Sequence, residues 1–218
     1  MVNWKLIDTV LLDMDGTLLD LNFDNHFWKD YVPQKYAARH GLSLADAKQQ
    51  LIPRFKSLEG RIEWYCLDYW SKELELDILG LKAEIAGLIA VLPHAVDFLE
   101  KIGTARQKVY LVTNAHRGSL DLKMSKTCLG VFFDGIISSH DYGLPKENPI
   151  FWERLIKKQP FDKDRTLLVD DNLTVLAAAQ QFGIAHLLSV SKPDSGLPIR
   201  DIVHFPAIED FRALMDGL

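Results

Sequence analysis

The sequence predicts an α/β protein: a Rossmann-like, doubly wound parallel sheet core with an inserted α-helical cap subdomain. Three observations point there. Short apolar runs end abruptly in polar clusters, helical patterns separate those runs, and one long aromatic-rich segment interrupts the alternation. Apolar runs of this length suit strands buried on both faces of a parallel sheet, and strand–helix alternation implies parallel pairing.

The elements follow in order. Thr9 to Leu12 is a β-capable run ending in Asp13-Met14-Asp15-Gly16-Thr17. Residues 21–92 lack such runs and are rich in helix formers and aromatics, among them Phe23, Phe27, Trp28, Tyr31, Trp64, Tyr65, Tyr69 and Trp70. This segment is expected to be the helical cap, with residues 1–20 and 93–218 forming the core. Pro93 marks re-entry, and a helix is expected over His94–Ile102. Val109–Val112 is the second strand and ends at Thr113-Asn114; Gly135–Ile137 is the third and ends at Ser138-Ser139. Thr166–Val169 is the fourth and ends at Asp170-Asp171-Asn172.

Apolar residues at three- and four-residue spacing predict helices over Leu120–Leu129, Pro149–Lys158 and Leu173–Phe182. Gly183 stands where a helix C-cap glycine belongs, before a strand over Ile184–Val190. Ser191–Asp201, with Pro193, Gly196 and Pro198, reads as a loop, and Ile208–Met215 as a short final helix.

Bulk properties narrow the function classes. The chain has 218 residues, 48% hydrophobic and 25% charged, enough for a core plus an insertion. Its net charge of −5 disfavours a nucleic-acid polymer or an anionic membrane as partner, while leaving room for a small phosphorylated metabolite. No apolar run is long enough to span a bilayer and no leader pattern opens the sequence, so a cytoplasmic location is expected. Cys66 and Cys128 fit neither a disulfide framework nor a metal-binding spacing and are expected to be buried, reduced thiols.

Every polar cluster above falls at the carboxyl end of an expected strand, where ligands sit in open α/β sheets. Asp13 and Asp15, two apart in extended chain, are expected to face one small volume. Carboxylates that close repel and call for a cation, and Mg2+ is the hard ion suited to carboxylate, water and phosphate oxygens. Gly16 and Thr17 allow a sharp turn. Lys146 lies between Pro145 and Pro149, just ahead of a helix, a setting that holds a side chain still. His116 reads as structural or substrate-facing, and Lys126 as solvent-exposed.

The string Asp13-Met14-Asp15-Gly16-Thr17-Leu18-Leu19 resembles the first motif of the haloacid dehalogenase-like hydrolase superfamily. Thr113-Asn114, Lys146 and Asp170-Asp171 are similar to its second, third and fourth motifs, in the proper order. The insertion between the first two motifs resembles the family's first class of helical cap. The resemblance implies that Asp13 attacks phosphorus and forms an aspartyl-phosphate, and that Asp15 acts as general acid and then base. It implies phosphoryl contacts from Thr113, Asn114 and Lys146. Mg2+ is expected among Asp13, Asp170, Asp171 and Asp15, the last through its backbone carbonyl. An acid at Asp15 separates phosphatases and phosphomutases from the dehalogenases, so C–halogen hydrolysis is not expected.

The cap string Trp64-Tyr65-Cys66-Leu67-Asp68-Tyr69-Trp70, together with Thr113-Asn114-Ala115-His116 and Pro193-Asp194-Ser195-Gly196, resembles proteobacterial purine 5′-nucleotidases. That likeness implies a purine nucleoside monophosphate, GMP or IMP, as the small-molecule substrate. The aromatic string reads either as packing within the cap or as rings stacking on a base, with Trp64, Asp68 and Asn25 as candidate substrate contacts. The alternatives are a phosphatase acting on a sugar phosphate or phosphoglycolate, a phosphomutase, and a binding module without turnover.

Overall fold

The structure, a computed structural model, describes residues 2–218. Its centre is a six-stranded parallel sheet: β1 (Thr9–Leu12), β2 (Lys108–Thr113), β3 (Gly135–Ser138), β4 (Thr166–Val169), β5 (His186–Val190) and β6 (Ala207–Ile208). The strand order is β3-β2-β1-β4-β5-β6, so the chain switches direction beside β1. Alternation along β1 assigns the two faces. Val10 and Leu12 join one apolar cluster with Phe98, Leu99 and Ile102 of α7 (Ala95–Gly103). Leu11 joins the opposite cluster, with Trp152 and Leu155 of α9 (Pro149–Lys158) and Leu176 and Ala179 of α10 (Leu173–Phe182).

Local chemistry sets the helix ends. The Asn148 and Asn172 side chains accept from the N–H groups of Ile150 and Thr174, capping α9 and α10. Gly183 ends α10 in the left-handed region at φ 103°, where a side chain would be penalised.

Between β1 and α7 lies a helical segment: α1 (Asn22–His26), α2 (Val32–His40), α3 (Leu44–Ser57), α4 (Ile62–Tyr65), α5 (Leu67–Leu74) and α6 (Ile78–Glu84). A wider π turn, Phe27–Tyr31, joins α1 to α2. The segment has its own apolar cluster, built on Phe27, Leu51, Phe55, Trp70, Leu74 and Ile78. Its two ends return to one place, because Leu19 and Val91 form an antiparallel bridge. Flanking it, Leu92 N–H donates to Leu18 O and Asp20 N–H to Ala90 O, both at 2.9 Å. Among the described residues no helix is long and apolar enough to cross a membrane.

Several expectations need correction. The helix expected from Leu120 begins at Arg117, because the His116 side chain accepts from Gly118 N–H and caps α8 (Arg117–Thr127); Cys128 ends it in the left-handed region. The final helix is only α11 (Arg212–Met215), and Ile208 belongs to β6 instead. Backbone bonds from Ser189 N–H to Pro206 O and from Ser191 N–H to Ile208 O recruit that short run to the sheet edge. The strand expected from Ile184 starts at His186. Both cysteines are free, but Cys66 is half-buried and Cys128 exposed, so neither is a core thiol.

Trp70 closes the aromatic set of the helical segment, with Phe55 at 5.0 Å and Tyr69 at 5.1 Å between ring centroids. Its indole N–H donates to Trp64 O at 2.9 Å. Trp70→Ala is expected to cost about 3–5 kcal/mol of stability in urea denaturation, the ordinary cost of deleting a large buried ring.

Candidate active site

The register of the sheet builds the site. Leu12 pairs with Leu111 on one side and Val169 on the other, so the next residues, Asp13, Val112 and Asp170, are level at the carboxyl edge. Lys146 fills the space among them. Its Nζ donates to Asp13 Oδ1 at 2.5 Å, Asp170 Oδ2 at 2.7 Å and the Val112 carbonyl at 2.9 Å, using all three ammonium hydrogens. The Lys146 backbone is fixed as well. Its N–H donates to Asn114 Oδ1 at 2.8 Å, and its carbonyl accepts from the Trp152 indole at 2.8 Å.

Burial pushes the Asp13 carboxyl up to about 6; Lys146 opposes that shift and Asp170 adds to it. Asp170 is raised by burial, and Asp171 well raised by burial and the charges of Asp170 and Asp13. Lys146 itself is held above its usual value, because the two carboxylates outweigh the burial that opposes its charge. Arg200 lies 3.6 Å from Asp171 Oδ2 and donates to the Asp171 carbonyl at 2.9 Å.

One oxygen each from Asp13, Asp170 and Asp171 lies within 4.8 Å of the others. An all-carboxylate set whose charge is only partly offset by Lys146 fits a hard divalent cation, which would relieve the mutual repulsion that burial enforces. Gly16 makes the cluster possible. It adopts φ +82°, and a Cβ there would lie 2.6 Å from Asp171 Cγ.

Asp15 pairs with a different cation from Asp13, although the charge of Asp13 is close enough to add to the rise of its carboxyl. Lys123 Nζ donates to Asp15 Oδ1 and to Asp24 Oδ2, both at 2.6 Å, and Lys82 Nζ donates to Asp24 Oδ1 at 2.6 Å. Both lysines are nearly sealed from solvent, at 1% and 2% exposure. Asp15 is pushed up to about 6 by burial, with Lys123 opposing and Asp24 adding to the rise. Burial also disfavours the Asp24 anion, but Lys123 and Lys82 together hold its carboxyl far below the usual range. Lys123, Lys82 and Asp24 were not singled out in the sequence. The lysine placed on the surface, Lys126, is exposed, and the buried one stands a turn earlier on the same helix.

Thr113 is buried, and its Oγ1 accepts from Ala115 N–H at 3.0 Å, which leaves the hydroxyl proton free. Asn114 uses its amide internally, donating to Glu147 Oε2 at 2.8 Å. Glu147 is another residue the sequence did not reveal. It also accepts from Tyr65 in the helical segment at 2.5 Å and from Asn172 at 3.3 Å. The candidate substrate contacts are dispersed. Trp64 packs on Phe55 and Trp70 at 6.2 and 6.5 Å between centroids, Asn25 donates to Asp194 Oδ2 at 2.6 Å, and Asp68, 87% exposed, sits 3.6 Å from His116 Nε2.

The parallel sheet, the acidic edge and the shared lysine are those of a phosphoryl- or haloacid-processing hydrolase fold, and the family comparison agrees. The chain belongs to the haloacid dehalogenase-like hydrolases, whose family model matches residues 7–183. Over 217 residues it is 37% identical to the GMP/IMP nucleotidase YrfG of Escherichia coli strain K12, covering 100% of this chain and 98% of that protein. It is 21% identical over 222 residues to the pyrophosphatase PpaX of Bacillus velezensis, covering 94% and 99%. In fold it is similar to a haloacid dehalogenase-family phosphatase of Thermococcus onnurineus, with TM-score 0.78, 21% identity and coverage of 97% and 99%. It also resembles the hydrolase YfnB of Bacillus subtilis, with TM-score 0.69, 20% identity and coverage of 96% and 99%.

The Asp24 pairings have a pH signature. A carboxyl depressed by folding contributes stability that is complete above its unfolded value of about 3.9 and is lost as pH falls toward the folded value. Asp24→Asn leaves the buried Lys82 ammonium without a carboxylate and Lys123 with Asp15 alone, and is expected to cost about 3–5 kcal/mol at pH 7. Denaturant titrations are expected to show the gap to wild type narrowing as pH drops below about 4.

Proposed function

We propose that this chain is a Mg2+-dependent phosphomonoesterase that works through an aspartyl-phosphate on Asp13, with a purine nucleoside monophosphate, GMP or IMP, as substrate. In this reading residues 1–20 and 93–218 are the catalytic core and residues 21–92 its cap. The observation that carries the chemistry is the Asp13–Lys146–Asp170 contact at the strand edge, beside a separately paired second acid, Asp15. The substrate class rests on the end-to-end likeness to the E. coli nucleotidase.

A carboxylate of Asp13 attacks phosphorus in line; a P–O bond forms to the aspartate as the bond to the ribose oxygen breaks. Asp15 gives its proton to that leaving oxygen. Its raised affinity for a proton suits an acid at neutral pH. Water then attacks the aspartyl-phosphate, Asp15 takes its proton, and phosphate leaves with Asp13 restored. Asp13, Asp170 and Asp171 would hold Mg2+, with the Asp15 carbonyl as the further oxygen the family resemblance implies, and the ion would supply positive charge against the transferring phosphoryl. Lys146 adds a fixed ammonium and orients Asp13. The free hydroxyl proton of Thr113 remains for a phosphoryl oxygen, and Asn114 stands beside it with its amide shared between Glu147 and Tyr65.

Phosphate release from nucleoside monophosphates, sugar phosphates and phosphoglycolate, with Mg2+ and with chelator, tests the assignment. Metal-dependent release is expected to be fastest from GMP or IMP. Preference for a sugar phosphate or phosphoglycolate would discard the purine reading and keep the mechanism, whereas a phosphoryl group retained on a sugar product would mark a mutase. Asp13→Asn is expected to lower kcat by more than about a thousandfold while leaving the thermal transition in place. Substantial residual turnover in that variant would sink the covalent route.

A further inference from the structure

A second group of metal-ligating side chains lies apart from the acidic trio. Cys66, His116 and His140 each place one ligand atom within 4.8 Å of the other two. The sequence separates them widely. Cys66 belongs to the helical cap, His116 stands between β2 and α8, and His140 follows β3. The two imidazoles meet edge to face, 5.1 Å between centroids.

Each member has a group available for coordination. His140 Nε2 is buried without any hydrogen-bond partner, an orphan that needs an explanation in a native protein. Burial and the neighbouring His116 hold His140 below the usual imidazole range, against a backbone hydrogen bond with Asn114, so its neutral, ligating form is favoured. Asp68 lies 3.6 Å from His116 Nε2, which leaves Nδ1 as the ring nitrogen facing away from that carboxylate. His116 Nδ1 is engaged only by a long 3.3 Å bond from Gly118 N–H. The Cys66 sulfur accepts a weak bond from Tyr69 N–H at 3.4 Å.

We propose that Cys66, His116 and His140 form a second metal site, selective for Zn2+, that ties the cap to the core and slows turnover when filled. One sulfur and two imidazole nitrogens suit zinc rather than magnesium, which prefers oxygen. With Zn–S of about 2.3 Å and Zn–N of about 2.0 Å, tetrahedral ligands lie about 3.3–3.5 Å apart, so closing by at most about 1.5 Å completes the set. Water takes the fourth position. Binding converts the Cys66 thiol to a thiolate and releases its proton to solvent. Because one ligand is in the cap and two are in the core, a bound ion opposes the opening that substrate entry and product exit require.

The test uses the full chain in excess Mg2+, which keeps the acidic trio occupied. Titration with Zn2+ against a chromogenic chelator is expected to show one tightly held ion per chain. Co2+ in its place is expected to give a thiolate-to-cobalt charge-transfer band together with intense visible bands of tetrahedral geometry. Cys66→Ser keeps an oxygen to accept from Tyr69 N–H while removing the thiolate, and should lose both the ion and the band; His140→Ala should lose the ion as well. Zn2+ is expected to inhibit the wild type and leave Cys66→Ser unaffected. A wild-type chain that holds no Zn2+, a cobalt complex without a thiolate band, or equal inhibition of both proteins would overturn the site. Binding and spectra need no turnover, so this outcome is independent of the substrate assignment.

Discussion

One ammonium group organises the carboxyl edge of the sheet. Parallel pairing in register delivers Asp13 and Asp170 to the same level, where burial makes two adjacent negative charges costly. Lys146 satisfies both and spends its remaining hydrogen on the Val112 carbonyl, so it has no freedom to move without stranding a carboxylate. Its own placement is secured by an apolar anchor, because the Trp152 indole that holds the Lys146 carbonyl is buried in the cluster under the sheet. The position of this ammonium thus depends on how a tryptophan packs.

A second ion cluster has the same logic and links two parts of the chain. Asp24 belongs to the helical insertion, yet one of its oxygens is held by Lys123 of the core. Buried pairs of this kind contribute little net stability, since desolvation consumes most of the Coulombic gain. They penalise every arrangement in which a partner is missing. Together with the Tyr65–Glu147 contact, they favour one placement of the helical segment over the acidic edge.

Much of this was legible in the sequence. Apolar runs ending in Asp, Asn, Thr or Ser located the first four strands and the acids Asp13, Asp170 and Asp171, because strands buried on both faces leave a compositional mark. β6 left none, being two residues long and held by bonds from Ser189 and Ser191 rather than by its own pattern. Lys123 and Lys126 look alike in the sequence, and only the packing of α8 against the insertion decides which is buried. The same holds for Cys66 and the two histidines. Spacing along the chain carries no signal when ligands come from three separate elements. Trp64 was read both as packing and as a candidate stacking ring; its neighbours in the structure are Phe55 and Trp70.

The bridge between Leu19 and Val91 bears on how such proteins change over evolutionary time. A segment that leaves and re-enters its host through adjacent residues behaves as a cassette: its length and composition can vary while the host backbone keeps its path. Mutations that remodel the insertion are insulated from the strand register that sets Asp13 against Asp170. A lineage can therefore exchange what sits over the acidic edge many times without rebuilding the edge itself.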